Sequence, residues 1–219
     1  MERKNKNPTV ELSPTGECYL IDGTEYDRTT HVTGAGNTFL QKLKAEQPGM
    51  LQRAADYGTA VHKITEHDDR GEGNEVDAML NADPWLLPYL FAWREWVGSY
   101  VSKIIMVEQI VWSDRYRCAG TVDRIAVMEG DKNPAILDIK TGGLHDSIGM
   151  QLSFYRMAYN EKVRAKTKKV ERIIAIQMPR KHKGFIEPKP KEYTSELERY
   201  EREFREAWEM YHKMRGDGI

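Results

Sequence analysis

The chain has 219 residues, 40% of them hydrophobic and 10% aromatic, which is enough apolar material for one sizeable core and leaves little for a second domain. Its 33 Lys+Arg against 34 Asp+Glu give a formal charge of -1, so no overall basic field exists and any nucleic-acid contact must come from a local patch. Two cysteines far apart in sequence, Cys18 and Cys118, match neither a disulfide framework nor a zinc or iron–sulfur cluster, which takes about four ligands. No apolar run approaches the roughly 20 residues of a membrane span, and the opening segment lacks the hydrophobic stretch of a signal peptide. A soluble protein of the reducing cytoplasm, with no membrane partner, is expected.

In chain order, residues 1–17 are polar and proline-bearing and read as a flexible arm ahead of one domain spanning 18–219. "CYLIDGTEYDRTTHV" alternates around an Asp-Gly turn, as a hairpin does. Helical spacing through Leu51, Ala54, Val61 and Ile64 predicts a helix over 49–67, which "DDRGEGNE" breaks. "DPWLLPYLFAWREWVGSYVSK" predicts a second helix, with Asp83 as N-cap before Pro84 and its aromatics in the core. "IIMVEQIVW" is a β-branched strand, and "AGTVDRIAVMEGDKNPAILDIK" is two more joined by a polar turn. "HDSIGMQLSFYRMAYNEKVRA" is helical, "VERIIAIQMP" is a strand, and "TSELERYEREFREAWEMYHKM" closes the chain as an amphipathic helix with Leu197, Tyr200, Phe204, Tyr211 and Met214 near one stripe. The order predicts an α/β fold, a mixed central sheet flanked on both faces by helices.

The charges inside the strands are the informative feature. Asp138 and Lys140 leave one face of their strand, and Leu137, Ile139 and Thr141 leave the other. With "MEGDKNP" as the turn, Asp123 falls opposite residues 138–140, and any register whose paired numbers sum to an odd value puts all three on one face. Two carboxylates and an ammonium suit a divalent cation with a Lys beside the attacking water; D-x-K is also the pattern of a surface ion pair on an edge strand. "GTAVHKITE" sets His62 and Glu66 one turn apart on one helix face, with Gly58 a turn upstream where a missing side chain permits close packing against strands. His62 reads as a metal ligand or as a satisfied helix histidine. Gln151 and Tyr155, at i and i+4, share one direction on the helix after Lys140, and a core tyrosine has that spacing too.

Taken in order, G-x-x-x-H-x-x-x-E, G-T-V-D, D-I-K-T and Q-x-x-x-Y, over roughly residues 58 to 159, resemble the RecB-like branch of the PD-(D/E)XK nuclease superfamily, and the N-terminal hairpin segment looks like the opening of small phage-type members. The resemblance implies a restriction-endonuclease-like core in which Asp123 and Asp138 hold Mg2+ or Mn2+, the main-chain carbonyl of Ile139 adds a ligand and Lys140 serves the water. It implies further that His62 approaches the metal and that Gln151 and Tyr155 hold the DNA strand or scissile phosphate. Glu66 and Glu108 become candidates for the outer shell. The lack of four clustered cysteines excludes the iron–sulfur subgroup.

A local basic excess, Arg180, Lys181, Lys183, Lys189 and Lys191 against Glu187, would contact phosphates or be a solvated hairpin tip, and residues 162–172 form a second basic run. The expectation is a metal-dependent deoxyribonuclease, an exonuclease of phage-type recombination, repair or processing, with DNA and a phage recombination or single-strand-binding protein as partners and, for a phage-encoded chain, the host cytoplasm as location. A junction-resolving endonuclease of the same fold, a silent DNA-binding module and a structural protein with a charged sheet edge are the alternatives.

Overall fold

The computed structural model describes residues 8–35, 46–180 and 184–216. Among the described residues eight strands, β1 (Val10–Leu12), β2 (Cys18–Ile21), β3 (Thr24–Arg28), β4 (Val101–Ser113), β5 (Cys118–Met128), β6 (Ala135–Lys140), β7 (Arg172–Gln177) and β8 (Lys189–Glu192), form one mixed sheet ordered β1-β2-β3-β5-β6-β7-β8, with β4 on β5. The helices are α1 (Thr29–Gly34), α2 (Pro48–Asp69), α3 (Gly73–Ala82), α4 (Leu87–Tyr100), α5 (Asp146–Lys162) and α6 (Leu197–Arg215). This is the predicted mixed α/β architecture, consistent with a restriction-endonuclease-like fold. Among the described residues no helix is long and apolar enough to cross a membrane.

Helices cover both faces of the sheet. On one, Leu86, Tyr89 and Trp93, contributed by α4 and the turn before it, pack with Val61 and Ile64 of α2 against Leu137, Ile139, Ile174 and Ile176. On the other, Leu152 and Phe154 of α5 and Tyr200 and Phe204 of α6 pack against Ile125, Ile136, Ile173 and Ala175. Each such side chain contributes roughly 1.5–3 kcal/mol relative to exposure. The alternation of Ile136 to one core and Leu137 to the other is why the opening of β6, Ala135–Leu137, is apolar on both faces.

Strand β5 has two differently occupied edges. β4 pairs along one of them from Cys118 to Met128. The opposite edge is shared: β3 pairs in parallel with Cys118 and Ala119, and β6 pairs antiparallel with residues 124–126. Between them residues 120–123 have no ladder partner on that edge among the described residues, so the sheet forks there. The thiol of Cys118 lies in the core on the α5–α6 face beneath α1, the helix that continues the β3 arm; it is fully buried and 3.6 Å from Thr29 Oγ1, and burial pushes it up to about 12.

Several expectations need correction. Val10–Leu12, placed in the flexible arm, pairs with β2, because the hairpin leaves a free edge; its Asp22-Gly23 turn has positive φ at both residues (49° and 76°), as a tight two-residue connection requires. The helix over 49–67 extends from Pro48 to Asp69, and a separate helix, α3, begins inside the segment read as a breaker and continues to Ala82. Asp83 caps no backbone amide with its side chain; it accepts the Trp85 indole N–H, and Pro84–Leu86 forms a 3-10 turn before α4. Tyr89, Trp93 and Trp96 of α4 are core, but Phe91 is 57% exposed. Strand β8, "KPKE", is exposed throughout and owes its conformation to pairing with β7. On α6, Met214 lies 64% exposed, off the buried stripe.

Candidate active site

The register β5 takes with β6 pairs Arg124 with Leu137 and Ile125 with Ile136. Continued one step, it sets Asp123 beside Asp138, on the face that also carries Lys140, so the three expected charges do share a face. At that point the strands part: the Ile139 amide donates to Asp123 Oδ2 at 2.6 Å. Lys140 Nζ lies 2.6 Å from Asp138 Oδ2. From α2, His62 Nδ1 reaches within 3.2 Å of Asp123 Oδ2. Gly58, a turn earlier, faces Thr141 at a distance (3.4 Å from where a Cβ would stand) that a methyl group would tolerate, so close packing does not demand the glycine.

Glu108 joins the cluster more closely than an outer-shell position would. Ligand atoms of His62, Glu108 and Asp123 all lie within 4.8 Å of one another. Glu108 sits in the middle of β4 at φ 50°, an unfavourable angle for a residue with a side chain, beyond two register shifts in the ladder. An acidic residue inside an apolar β-branched strand was the available signal. Glu66, its companion as an outer-shell candidate, turns instead to Arg70 (2.5 Å) and Lys63 (3.2 Å).

Burial pushes Asp123 up, yet His62, Lys140 and the Ile139 amide outweigh it and hold this carboxyl at about 2. Burial, reinforced by repulsion from Asp123, pushes Asp138 to about 6 against the pull of Lys140 and Glu108 to about 7. His62 and Lys140 are disfavoured as cations by burial, but the neighbouring carboxylates win and raise both. Three crowded carboxylates and an imidazole are the hard-oxygen and nitrogen donors of a divalent cation, and the raised Asp138 and Glu108 are the strain such a cation relieves. The residues therefore fit a metal held by His62, Glu108 and Asp123, with the Asp138 carboxylate, engaged by Lys140, beside it.

These shifts set a pH dependence. Asp138 and Glu108 are raised above their unfolded values, so the stability they give the metal-free fold is present below pH about 4 and lost as pH rises through about 6 to 7. Raised His62 acts in the same sense. Asp123, lowered, titrates below this window. The melting temperature of the metal-free protein is expected to fall from pH 5 to 7.5, while the increment from added Ca2+ grows, because metal must displace those protons. A pH-independent increment, read by thermal unfolding with and without Ca2+, would break this assignment.

Behind the cluster lies a network that sequence reasoning did not single out. Arg124, fully buried, donates Nε to Asp69 Oδ2 (2.5 Å), Nη1 to the Asp123 carbonyl (2.7 Å) and to Glu108 (3.4 Å), and Nη2 to Thr65 (3.3 Å). Trp93 closes it, its indole N–H donating to Asp69 and its ring under the guanidinium. One arginine thus fixes the backbone of Asp123 and the carboxyl of Glu108. An arginine next to Asp123 in an apolar strand was the signal for it.

On the other side of the fork, Gln151 Nε2 donates to Tyr155 Oη at 2.7 Å, and the Tyr155 ring lies across β5 at Gly120. A Cβ on Gly120 would stand 2.4 Å from Tyr155 Cε1, so glycine is what lets this ring approach. Of the basic segment, Arg180 rests over Tyr57 and donates to the Ala54 carbonyl, and Lys181 and Lys183 lie outside the described residues. Lys189 pairs with Gln177, which pairs with Lys140; Lys191 pairs with Ala175, which pairs with Asp138. Both lysines therefore share the face of the acidic cluster, two strands or roughly 10 Å away. In the second basic run, Lys162 is tied to Asp114 and Arg172 to Asp131 and Glu192.

A family model described as the PD-(D/E)XK nuclease superfamily matches residues 38–217. No curated protein matches the chain.

Proposed function

The chain belongs to the PD-(D/E)XK nuclease superfamily of metal-dependent nucleases, and from that premise we propose that it is a RecB-like, phage-type exonuclease that hydrolyses DNA with Mg2+ or Mn2+ in recombination, repair or end processing. The supporting observation is the convergence of Asp123, Asp138, Lys140, His62 and Glu108 at the fork of β5. A bound divalent ion supplies charge neutralisation at the scissile phosphoryl group and its leaving oxygen. Lys140, a donor with no acceptor, orients the attacking water through its N–H groups beside Asp138. Asp123 is held by the Ile139 amide, and Arg124 keeps Glu108 aimed at the same point. Imidazole among the ligands makes Mn2+ at least as acceptable as Mg2+. A phage recombination or single-strand-binding protein fits such a role as partner, and the host cytoplasm as location.

The test is digestion of end-labelled linear and closed circular DNA, single and double stranded, with each metal. Degradation confined to linear substrates is expected. Cleavage of circles would make the protein an endonuclease such as a junction resolvase, and no cleavage with either metal would leave a silent binding module.

Tyr155→Phe keeps the buried ring and removes only the hydroxyl, which accepts one hydrogen bond. Turnover is expected to fall about tenfold, with stability changed by no more than about 1 kcal/mol. A destabilised variant whose folded fraction retains full activity would assign Tyr155 to the core alone. Lys189 and Lys191 are read as phosphate contacts, so changing both to Gln should reduce the magnitude of the slope of log affinity against log salt by roughly 1.4 to 1.8. Salt titrations of parent and variant in Ca2+ measure this, and equal slopes would move the DNA path elsewhere.

A further inference from the structure

The fork in β5 leaves a cavity that the cluster of metal donors does not use. It has a volume of about 260 Å3 and lies between the β1–β3 hairpin and α5, walled by Arg28, Thr30 and Tyr19 on one side and by Gln151 and Tyr155 on the other, with Gly120 and Thr121 of β5 between them. At ~30 Å3 per water this is roughly eight to nine water volumes, room for a phosphate and its sugar.

Its charge is one-sided. Arg28 is the sole charged residue among the described residues lining it. Arg28 is half-buried, its guanidinium is anchored by one N–H to the Gly16 carbonyl (2.6 Å), and it has no carboxylate within ion-pair distance among the described residues. The other half-buried arginines among the described residues are compensated: Arg156 by Glu201, Arg172 by Asp131 and Glu192, Arg199 by Asp146, Glu196 and Glu203. Hydroxyls supply further donors. Tyr155 Oη accepts from Gln151, which leaves its own proton free to donate, and Tyr19 and Thr121 share one hydrogen bond between their hydroxyls at 2.9 Å. A fixed guanidinium with unused N–H groups, several hydroxyls and no acid is a receptor for an anionic oxygen group.

We propose that this cavity is a subsite for a nucleic-acid phosphate next to the one being cleaved, with Arg28 as its principal contact. The inference rests on the nuclease reading and deepens it: the strand is held on both sides of Tyr155, by the acidic cluster toward β6 and by Arg28 toward β3. Because the β1–β3 hairpin supplies that second contact, the hairpin is part of the substrate site and not only an extension of the sheet.

The test measures binding of single-stranded oligonucleotides in Ca2+ by the full-length protein, with Arg28→Gln, and with Thr30→Glu, which sets a negative charge at an exposed position of the same cavity. Arg28→Gln is expected to weaken binding about tenfold and to reduce the salt slope by about 0.7. Thr30→Glu is expected to weaken binding with an unchanged melting temperature. A scan of single methylphosphonate substitutions should find one position, flanking the scissile bond, where neutralising the phosphate weakens the parent but not Arg28→Gln. Oligonucleotides with and without terminal phosphates separate the two sources: if removing a terminal phosphate reproduces the Arg28→Gln loss the contacted group is terminal, otherwise it is an internal diester. Equal affinities and slopes for the parent and both variants, or a methylphosphonate penalty undiminished in Arg28→Gln, overturn the subsite alone. A parent protein that binds no DNA overturns the nuclease reading and the subsite together.

Discussion

Lys140→Ala is expected to slow DNA cleavage by at least about a hundredfold while leaving DNA affinity in Ca2+ little changed. The side chain ends 2.6 Å from Asp138 Oδ2, on the face shared with Asp123, so its removal deletes the group that positions water and leaves the carboxylates in place. Asp138, already raised by burial, loses its closest positive neighbour and binds a proton more tightly, so the rate should be compared at saturating metal. Single-turnover cleavage of an end-labelled strand is the measurement. Near-parental rates would remove Lys140 from the mechanism.

The largest stability effect is expected at Arg124. Arg124→Met removes the cation that compensates the buried Asp69 carboxylate and leaves Glu108 and the Asp123 carbonyl without their donor, which should cost about 3–5 kcal/mol. At roughly 2–4 °C per kcal/mol for a chain of this size, the melting temperature falls by about 6–20 °C. Adding Asp69→Asn to this variant removes the orphaned charge and is expected to recover a substantial part of the loss, a coupling that denaturant unfolding of the two single variants and the double variant reads directly. Losses that simply add would show that Asp69 and Arg124 do not act as a unit.

Periodicity made the central layers legible. β5 and β6 are mostly apolar strands with a few internal charges, bounded by a polar turn, α5 and α6 repeat at helical spacing, and the odd register that unites Asp123, Asp138 and Lys140 was one of two choices the pleat allows. Elements shaped by their neighbours were not legible. β8 has no apolar face and becomes a strand only because β7 offers an edge. α3 buries Val76 alone behind a glycine-rich entry, so its pattern is nearly silent. For the site, motif spacing marked His62 and Tyr155, but the closeness of Glu108 depends on a positive φ in β4, and the role of Arg124 on an aspartate 55 residues away. The fork itself, with β3 and β6 sharing one edge of β5, is a fact of topology that local pattern does not contain.

The sealed thiol beneath α1 turns that topology into a clock. Cys18 is partly exposed and open to an alkylating reagent, whereas Cys118 is both shielded and held as the unreactive thiol by its burial. Reagent reaches it when the two β3–β5 rungs, Asp27–Cys118 and Arg28–Ala119, part and carry Thr29 away. Those rungs join segments about ninety residues apart in sequence, and the arm must also release Tyr26 from Asp114 and Asp27 from Tyr211 and Arg215, so its opening is expected as one cooperative unit. At reagent concentrations where the slow phase of alkylation no longer rises with reagent, every opening is trapped and that phase counts departures of the arm from the body of the protein, without any probe added to the chain.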